Sequence, residues 1–389
     1  MLSPSSPPVA SALPAQPFFA TAHARTALAR ERFFDEGQRP TGLVGDPVIQ
    51  SWMRCQSARR SPAESIGFDP VTPTRLHSVL QRGRPLLSAA QTQLTQLEAT
   101  LAGTGCRAIL ADGEGVIVHT TPASDVPTPV LHAAARVGVN LSEGVVGTTA
   151  PGIVVRSGLA CTVTGREHFF DTCGGLRCAA APIRDRRGLL AGVLDLTVEQ
   201  REFGFDAGAL VGLYAAAIEN ALLCLPGRDQ GLLLRFQVSP LLLGTPMEAL
   251  AGVDAQGRLA WMNGVARHLL GGNALGRAAE EVFGLPLDAL LARTRRGAAR
   301  EAQRLASGLA VWLQAQLQDE VAEAALVPAA VPSHAAPPPA PATLAERNRQ
   351  LVRDTLERCG GNVSRAAREL GVSRGLLYRQ LAAMRDTGH

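Results

Sequence analysis

The sequence predicts an α+β protein of several domains that ends in a small all-α unit. A chain of 389 residues with 46% hydrophobic content has room for two or three ordinary globular domains. Patterns typical of strands and of helices follow one another over most of its length. A proline-rich spacer then separates them from a final segment that has helical periodicity alone.

The composition excludes several classes of protein. All 38 basic residues are arginine, so the chain can form neither a Walker A phosphate loop nor a Schiff base on a lysine side chain. The seven cysteines are scattered and odd in number, which indicates the reduced thiols of a cytosolic protein. No uninterrupted run of about 18 apolar residues is present, so we expect no membrane partner.

The first part of the chain predicts a sensor-like domain preceded by a tail. Residues 1–30 carry five prolines by position 17 and are expected to be a disordered tail, followed by an N-terminal helical segment at 31–84. Residues 85–225 have strands in the middle and helices at both ends, which predicts an α+β domain. Its predicted elements are a helix at 86–101, a hairpin at 107–120 around an Asp-Gly turn, a strand at 159–163, a hairpin at 180–198 and a closing helix at 207–223.

A second, smaller domain is predicted at 230–325. Within it, "LAGVDAQGRLAWMNGVARHLLG" indicates a strand, a turn, a second strand and an Asn-led helix. The alternating "LAVWLQAQLQ" (309–318) fits a late strand, with a helix as the alternative. The spacer that follows, PAAVPSHAAPPPAPAT at 328–343, can extend on the order of 50 Å as polyproline II, so we expect it to tether the last unit.

The last unit, at 344–389, has the pattern of a helix-turn-helix. Val363, Ala366, Ala367 and Leu370 fall on one helical stripe that Asn362 can cap. Gly371 then ends this helix, Ser373 can cap a second one, and the stretch at 344–359 supplies a third wall of the small core.

Charge indicates what this unit binds. Nine arginines and five acids lie between residues 344 and 389, a local balance of plus four. Arginine clamps phosphates and pairs with the guanine edge, and the start of the second helix is where base edges are met in such motifs. Arg374 and Arg379 are therefore the expected readers of duplex DNA. The alternative is a charged, solvated face on a helical hairpin.

The segment GNVSRAARELGVSRGLLYRQL resembles the Fis-type helix-turn-helix, over about 45 residues. The resemblance implies that the residues after the turn face DNA, and Arg365 on the first helix is expected to join them. Leu376 departs from the hydroxylated residue usual at its position. The expected DNA-binding residues are Arg365, Ser373, Arg374, Gly375, Leu376, Tyr378 and Arg379.

Residues 30–225 resemble the GAF domain at the head of acetoin-catabolism-type regulators. The stretches that carry the likeness are "IQSWMRC" (49–55), "GFDP" (67–70), "LSEGVVGTT" (141–149), "GREHFF" (165–170) and "CAAAPIRDRRGLLAGVLDLT" (178–197). The family usually has tryptophan where Leu141 stands and asparagine where Thr149 stands. Regulators of this family often carry a degenerate PAS-like domain in the middle, which is the expectation for 230–325.

A GAF domain implies a pocket for a small-molecule effector, in which a few polar groups orient the ligand among apolar walls. His168, Glu143 and Asp195 are the polar groups that the resemblance places there. For each, a capping or turn hydrogen bond is the equally weighted alternative. The full set expected around the ligand is Leu141, Glu143, Thr148, Thr149, His168, Cys178 and Asp195.

The regulators that this chain resembles normally carry an ATPase module, which contacts the alternative sigma factor, before the Fis-type end. Here the spacer occupies that place, and no glycine-rich loop with lysine is present. We therefore expect neither ATP hydrolysis nor sigma-54 activation by the usual route.

A second hypothesis concerns Cys161, His168, Cys173 and Cys178, spaced C-x6-H-x4-C-x4-C. Such ligands could hold a metal, but the spacing matches no common zinc finger. Cys173 and Cys178, joined through Gly174 and Gly175, could form a redox switch. Buried structural thiols are the default interpretation, and a GAF-type cysteine reductase is a third, enzymatic one.

The sequence therefore predicts a cytoplasmic, bacterial-type transcriptional regulator that is not an enzyme and needs no cofactor or metal. Its expected partners are double-stranded DNA, a small-molecule effector and a second copy of itself, with RNA polymerase as a further candidate. In a homodimer the two recognition helices would meet half-sites about 34 Å apart. The alternative is a thiol- or metal-responsive regulator.

Overall fold

The computed structural model describes residues 21–122, 128–225, 231–295 and 299–317, together with 355, 359, 362–369, 372 and 374–375. The chain divides into two compact units, Met1–Ala324 and Ala325–His389. The first unit contains two five-stranded sheets, which belong to a first and a second domain.

The N-terminal helices come first along the chain. They are α1 (Ala22–Arg30), which continues into a π-helical turn at Glu31–Asp35, α2 (Asp46–Ser57) and α3 (Pro73–Arg82). The tail predicted at 1–30 overlaps α1, so residues 21–30 are a correction to that prediction. Thr21 caps this helix by accepting a hydrogen bond from the amide of Ala24. Ala29 is fully buried, so packing against the rest of the domain orders this helix despite its weak periodicity.

The first sheet is antiparallel throughout, with the strand order β2-β1-β5-β4-β3. Its strands are β1 (Arg107–Asp112), β2 (Ile117–Thr120), β3 (Cys161–Thr164), β4 (Leu176–Arg184) and β5 (Leu190–Glu199). Between β2 and β3 lie α5 (Pro129–Ala134), α6 (Glu143–Val146) and α7 (Ala150–Ser157). The remaining helices of this domain are α4 (Arg84–Leu101) before the sheet and α8 (Ala207–Cys224) after it.

Each face of this sheet is covered by a separate apolar core. One core joins α4 and α8 to the sheet through residues such as Leu97, Leu196 and Ile218. The other joins the N-terminal helices and α7 to the opposite face, and includes Trp52 and Phe169. The N-terminal helices and the sheet therefore share one hydrophobic core, and β5 is buried on both sides.

Helix α8 is long and apolar enough to cross a membrane by length and composition alone. In this structure it packs on β4, β5 and α4, as the core helix of an α+β layer does. Of this helix 33% is buried, and the packing accounts for the apolar residues on that buried face.

The second domain repeats the layered plan on a smaller scale. Its antiparallel sheet has the order β8-β7-β6-β10-β9, with strands β6 (Leu232–Gln237), β7 (Ala249–Val253), β8 (Leu259–Met262), β9 (Glu301–Arg304) and β10 (Ala310–Leu317). Helices α9 (Gly264–Leu270), α10 (Ala279–Phe283) and α11 (Leu287–Thr294) pack on one face. Short 3-10 segments lie in the first domain at Gly165–Glu167 and Asp171–Cys173 and in the second domain at Pro240–Leu242 and Gly272–Ala274.

The predicted α+β class is confirmed by these two antiparallel sheets with flanking helices. Both predicted hairpins of the first domain form, and "LAVWLQAQLQ" is a strand and not a helix. Asn263 caps α9 by accepting a hydrogen bond from the amide of Ala266, as the Asn-led pattern predicted.

In the second unit the described residues include one helix and three positions after it, 372, 374 and 375. Helix α12 (Val363–Glu369) begins where it was predicted, because Asn362 Oδ1 accepts hydrogen bonds from the amides of Ser364 and Arg365. Ala366 and Ala367 are buried, as the apolar stripe requires. Leu370 and most of the predicted second helix lie outside the described residues.

Gly113, in the Asp-Gly turn between β1 and β2, lies so close to the backbone of β5 that a side chain has no room there. A Cβ on Gly113 would lie 2.3 Å from the carbonyl oxygen of Leu190, which is backbone and cannot yield. We expect Gly113→Ala to lower the free energy of unfolding by about 1–3 kcal/mol, measured by urea denaturation. Gly144→Ala is the matched control, since its Cβ would meet nothing within 4 Å. Equal midpoints for the two variants would contradict this account.

Candidate effector site and nucleic-acid interface

Alternation along β5 brings three polar side chains onto the face that the N-terminal helices cover. Asp195, Thr197 and Glu199 are each no more than 3% exposed. Glu199 is satisfied, because its carboxylate accepts hydrogen bonds from the amides of Val130 and Leu131 at the start of α5. Asp195 is different.

The Asp195 carboxyl is only half satisfied. Its Oδ2 accepts a hydrogen bond from Thr197 Oγ1 at 2.6 Å, whereas its Oδ1 is buried and has no hydrogen-bond partner among the described residues. Burial raises the pKa of Asp195 from 3.8 to about 7, and the bond from Thr197 offsets only part of that rise. A buried polar atom left in this state is costly, so a ligand group that bonds to Oδ1 would gain affinity there.

His168 and Cys178 form a neutral pair on the same side of the sheet. His168 is fully buried, and its Nδ1 lies 2.8 Å from the carbonyl oxygen of Gly165. Because a carbonyl only accepts, we assign the proton to Nδ1, and Nε2 then accepts from the Cys178 thiol at 3.4 Å. Burial lowers the pKa of His168 to about 4 and raises the pKa of Cys178 well above its usual value. Both groups are therefore uncharged at neutral pH.

The loop that carries His168 is clamped by the N-terminal helices. The Arg30 guanidinium donates hydrogen bonds to the carbonyl oxygens of Arg166, His168 and Phe169 and pairs with Asp171 at 3.0 Å. Trp52 Nε1 donates to the carbonyl oxygen of Glu167 at 2.8 Å. Sequence reasoning missed Arg30, which it had assigned to the tail. It noted Trp52 only as part of a motif.

The other residues expected around the ligand have partners of their own. Glu143 forms a two-pronged ion pair with Arg54, at 2.7 and 3.0 Å. Thr149 caps α7 by accepting from the amide of Gly152 at 3.1 Å. Two further residues, Leu141 and Thr148, are buried in this part of the domain. Their ligand-binding roles stay predictions.

Thr148 joins the segment between α6 and α7 to α2. Its hydroxyl lies 2.7 Å from that of Ser51 and 3.9 Å from the Cys55 thiol. These contacts, like the clamp by Arg30, join the N-terminal helices to the segments that carry Thr148 and His168.

The thiols give no sign of activation. Burial raises the pKa of Cys173 to about 12 and raises the pKa of Cys178 well above its usual value, so both sulfurs stay protonated and weakly nucleophilic at neutral pH. Over the residues that the structure describes, no group of three or more His, Cys, Asp and Glu side chains is arranged to hold a metal ion. No disulfide joins the cysteines of this part of the chain.

The second unit exposes part of the predicted DNA-binding set. Of this set, Arg365 is exposed on α12, and Arg374 and Gly375 are exposed in a helical stretch after the turn; Arg368, which is not in the set, is also exposed on α12. The buried Ala366 and Ala367 fix which face of α12 points inward, so its arginines point outward. The rest of the predicted set, Ser373, Leu376, Tyr378 and Arg379, lies outside the described residues.

A pH-dependent stability follows from the raised pKa of Asp195. Between about pH 4 and pH 7 the native carboxyl keeps a proton that the unfolded chain releases, so stability falls as the pH rises through this window. Asp195→Asn removes this penalty. We expect its free energy of unfolding, relative to the wild type, to rise by at most about 4 kcal/mol from pH 4 to pH 7, by urea denaturation. A difference that stays flat over that window would refute the buried, protonated state.

Two family profiles match the chain. The one described as MimR, N-terminal domain, matches residues 22–216, which are 195 of the 389 residues. The one described as Bacterial regulatory protein, Fis family, matches residues 343–384. The first match includes both the N-terminal helices and the first sheet, in agreement with their shared core.

Among curated relatives, the chain is similar to the acetoin catabolism regulatory protein of Cupriavidus necator, at 30% identity over 261 residues, covering 64% of this chain and 38% of that protein. It is also similar to the propane 2-monooxygenase operon transcriptional activator MimR of Mycolicibacterium smegmatis, at 30% identity over 182 residues, covering 45% of this chain and 29% of that protein. The chain thus spans less than two fifths of the length of either relative.

Among solved structures, the chain is similar to one from the E. coli DhaR(N)-DhaL complex. The identity is 17%, the TM-score is 0.43, and the match covers 70% of this chain and 99% of that chain. This similarity is too low to support any inference. The profile matches support one: the chain belongs to the family of bacterial regulatory proteins that carry the MimR N-terminal domain, and it bears a Fis-family helix-turn-helix at residues 343–384.

Proposed function

We propose that this protein is a transcriptional regulator whose first domain binds a small effector and thereby changes how its C-terminal unit binds an operator. The observation that carries the DNA-binding part is the Fis-family match over residues 343–384, which contains the Asn362-capped helix and the exposed Arg365 and Arg374. Exposed guanidinium groups at the start of a second helix can reach phosphates or guanine edges.

The effector part rests on Asp195. A buried carboxyl with a pKa near 7, one oxygen of which has no partner in the described part of the chain, suits a ligand that donates a hydrogen bond, and an anionic ligand would place a second negative charge beside it. The names of the relatives refer to acetoin catabolism and to a propane 2-monooxygenase operon. We therefore propose a small, uncharged organic molecule with a hydroxyl or similar donor as the effector of this chain.

The finer parts of this proposal concern architecture. We propose a GAF domain at 85–225 whose core is completed by the preceding N-terminal helices, a PAS-like domain at 230–325, a tether at 328–343 and a helix-turn-helix at 344–389. We also propose a cytoplasmic homodimer that meets two half-sites, with effector binding shifting the population of two dimer states. A non-enzymatic role without ATP hydrolysis fits the absence of lysine from the sequence.

The thiol- or metal-responsive alternative receives less support. It depends on Cys173 and Cys178, and burial keeps both thiols protonated. A redox sensor needs a thiolate that solvent can reach. We therefore favour the small-molecule effector.

The DNA-binding proposal is tested with Arg374→Ala. Loss of one guanidinium at the duplex should weaken operator binding by about 1–3 kcal/mol, measured by fluorescence anisotropy on an operator obtained by binding-site selection. Arg187→Ala is the matched control, because Arg187 is also exposed but lies in the β4–β5 turn of the first domain. Equal affinities for these two variants would contradict the proposal.

The effector proposal is tested by thermal unfolding of the full chain with a panel of small alcohols, diols and hydroxyketones, beside carboxylates of matched size. We expect a member of the neutral set to raise the Tm of the wild type and to leave that of Asp195→Ala unchanged, because the Oδ1 acceptor is gone. Asp288→Ala, which removes an exposed carboxylate of the second domain, should keep the response. A Tm response confined to carboxylates, or one that survives in Asp195→Ala, would rule out this site.

A further inference from the structure

Helix α8 belongs to both domains of the first unit. Its earlier turns pack on the first sheet, whereas Leu223 and Cys224 at its end pack in a cluster with Leu233, Leu250 and Trp261 of the second sheet. The end of α8 therefore packs on the face of the second sheet that lies opposite α9, α10 and α11.

A buried hydrogen bond fixes this arrangement. Asn263 Nδ2 donates to Asn220 Oδ1 of α8 at 2.8 Å and to the carbonyl oxygen of Glu248 at 2.8 Å. Asn263 Oδ1 accepts from the amides of Leu250 and Ala266, so the same side chain joins β7, the start of α9 and α8. The amide of Asn263 is oriented by these bonds, and Asn220 is the partner that the first domain supplies.

A second bridge lies beside it. The carboxylate of Glu219 accepts a hydrogen bond from the amide of Arg184 at the end of β4, at 2.9 Å, and from the amide of Gly264 at the start of α9, at 3.3 Å. It therefore connects a strand of the first sheet to a helix of the second domain through one side chain.

The β4–β5 turn adds a third contact. Arg186 donates hydrogen bonds to the carbonyl oxygens of Leu223 and Leu225, and its guanidinium lies 5.5 Å from the ring centre of Trp261. The strands that this turn joins carry Cys178 and Asp195 on the effector-site face. The β4–β5 hairpin thus carries effector-site residues on its strands and contacts the second domain through its turn.

We propose that Glu219, Asn220 and Asn263, together with Arg186, form a latch at the end of α8 that makes the two domains one cooperative unit and transmits changes at the Asp195 face to the second domain. Buried hydrogen bonds of this kind are directional, and separating the domains would leave both asparagine amides short of partners. The latch goes beyond the proposed function, since it requires neither an effector nor DNA.

The test measures whether a disturbance of the first domain reaches the second. Ile109→Val removes a methylene from β1 directly opposite Asp195, on a strand that carries no residue of the latch. Urea unfolding of the full chain is followed by hydrogen exchange and mass spectrometry on peptides from 107–120 and from 232–253. With the latch intact we expect Ile109→Val to lower the midpoints of both sets of peptides by the same amount.

In an Asn220→Ala background we expect the shift in the second-domain peptides to fall by at least half, while the first-domain shift persists. Tyr214→Phe is the matched control, because it removes a hydrogen bond to Thr100 from the same helix outside the latch, and coupling should survive it. If Asn220→Ala does not fold, Glu219→Ala takes its place, because it removes the hydrogen bonds from the amides of Arg184 and Gly264. Second-domain peptides that ignore Ile109→Val in the wild type, or that follow it fully without the latch, would overturn the proposal.

Discussion

The first domain depends on the double burial of β5. This strand lies in the middle of its sheet, with its backbone bonded to β1 on one side and to β4 on the other. Both of its faces are covered, yet every second residue from Asp195 to Glu199 is polar. Each of these side chains must find a partner inside the protein or remain unsatisfied. The cap on α5 solves the problem for Glu199, and the incomplete solution at Asp195 creates the candidate site.

The ionisation states in this region are set by the same burial. A histidine, a thiol and a carboxyl lie on one side of the sheet, and in water their pKa values would differ widely. Burial moves each of them toward its neutral form, so His168 and Cys178 are uncharged near neutral pH and Asp195 keeps its proton up to about pH 7. A neutral, apolar interior with a few oriented polar atoms is a setting in which a small uncharged molecule can be held by hydrogen bonds.

Local elements of the fold could be predicted from the sequence, because their causes are local. The Asp-Gly turn marks the β1–β2 hairpin, and the side-chain oxygen of Asn362 begins α12. Long-range partners could not be predicted this way. Arg30 reaches carbonyl groups more than 130 residues away, and no periodicity near residue 30 signals this. Likewise Glu143 could be placed near the site by resemblance, but not paired with Arg54. That Asp195 Oδ1 has no partner within the described ranges could be seen only once the strands were in register.

The shared core of the N-terminal helices and the sheet limits how this domain can be reused in evolution. Phe33 and Trp52 pack in the same cluster as Ile109 and Phe169, so a recombination point between α2 and α4 would split one hydrophobic core between two parents. Gene fusion can therefore transplant this domain only as a block that starts before Ala29 and runs through α8.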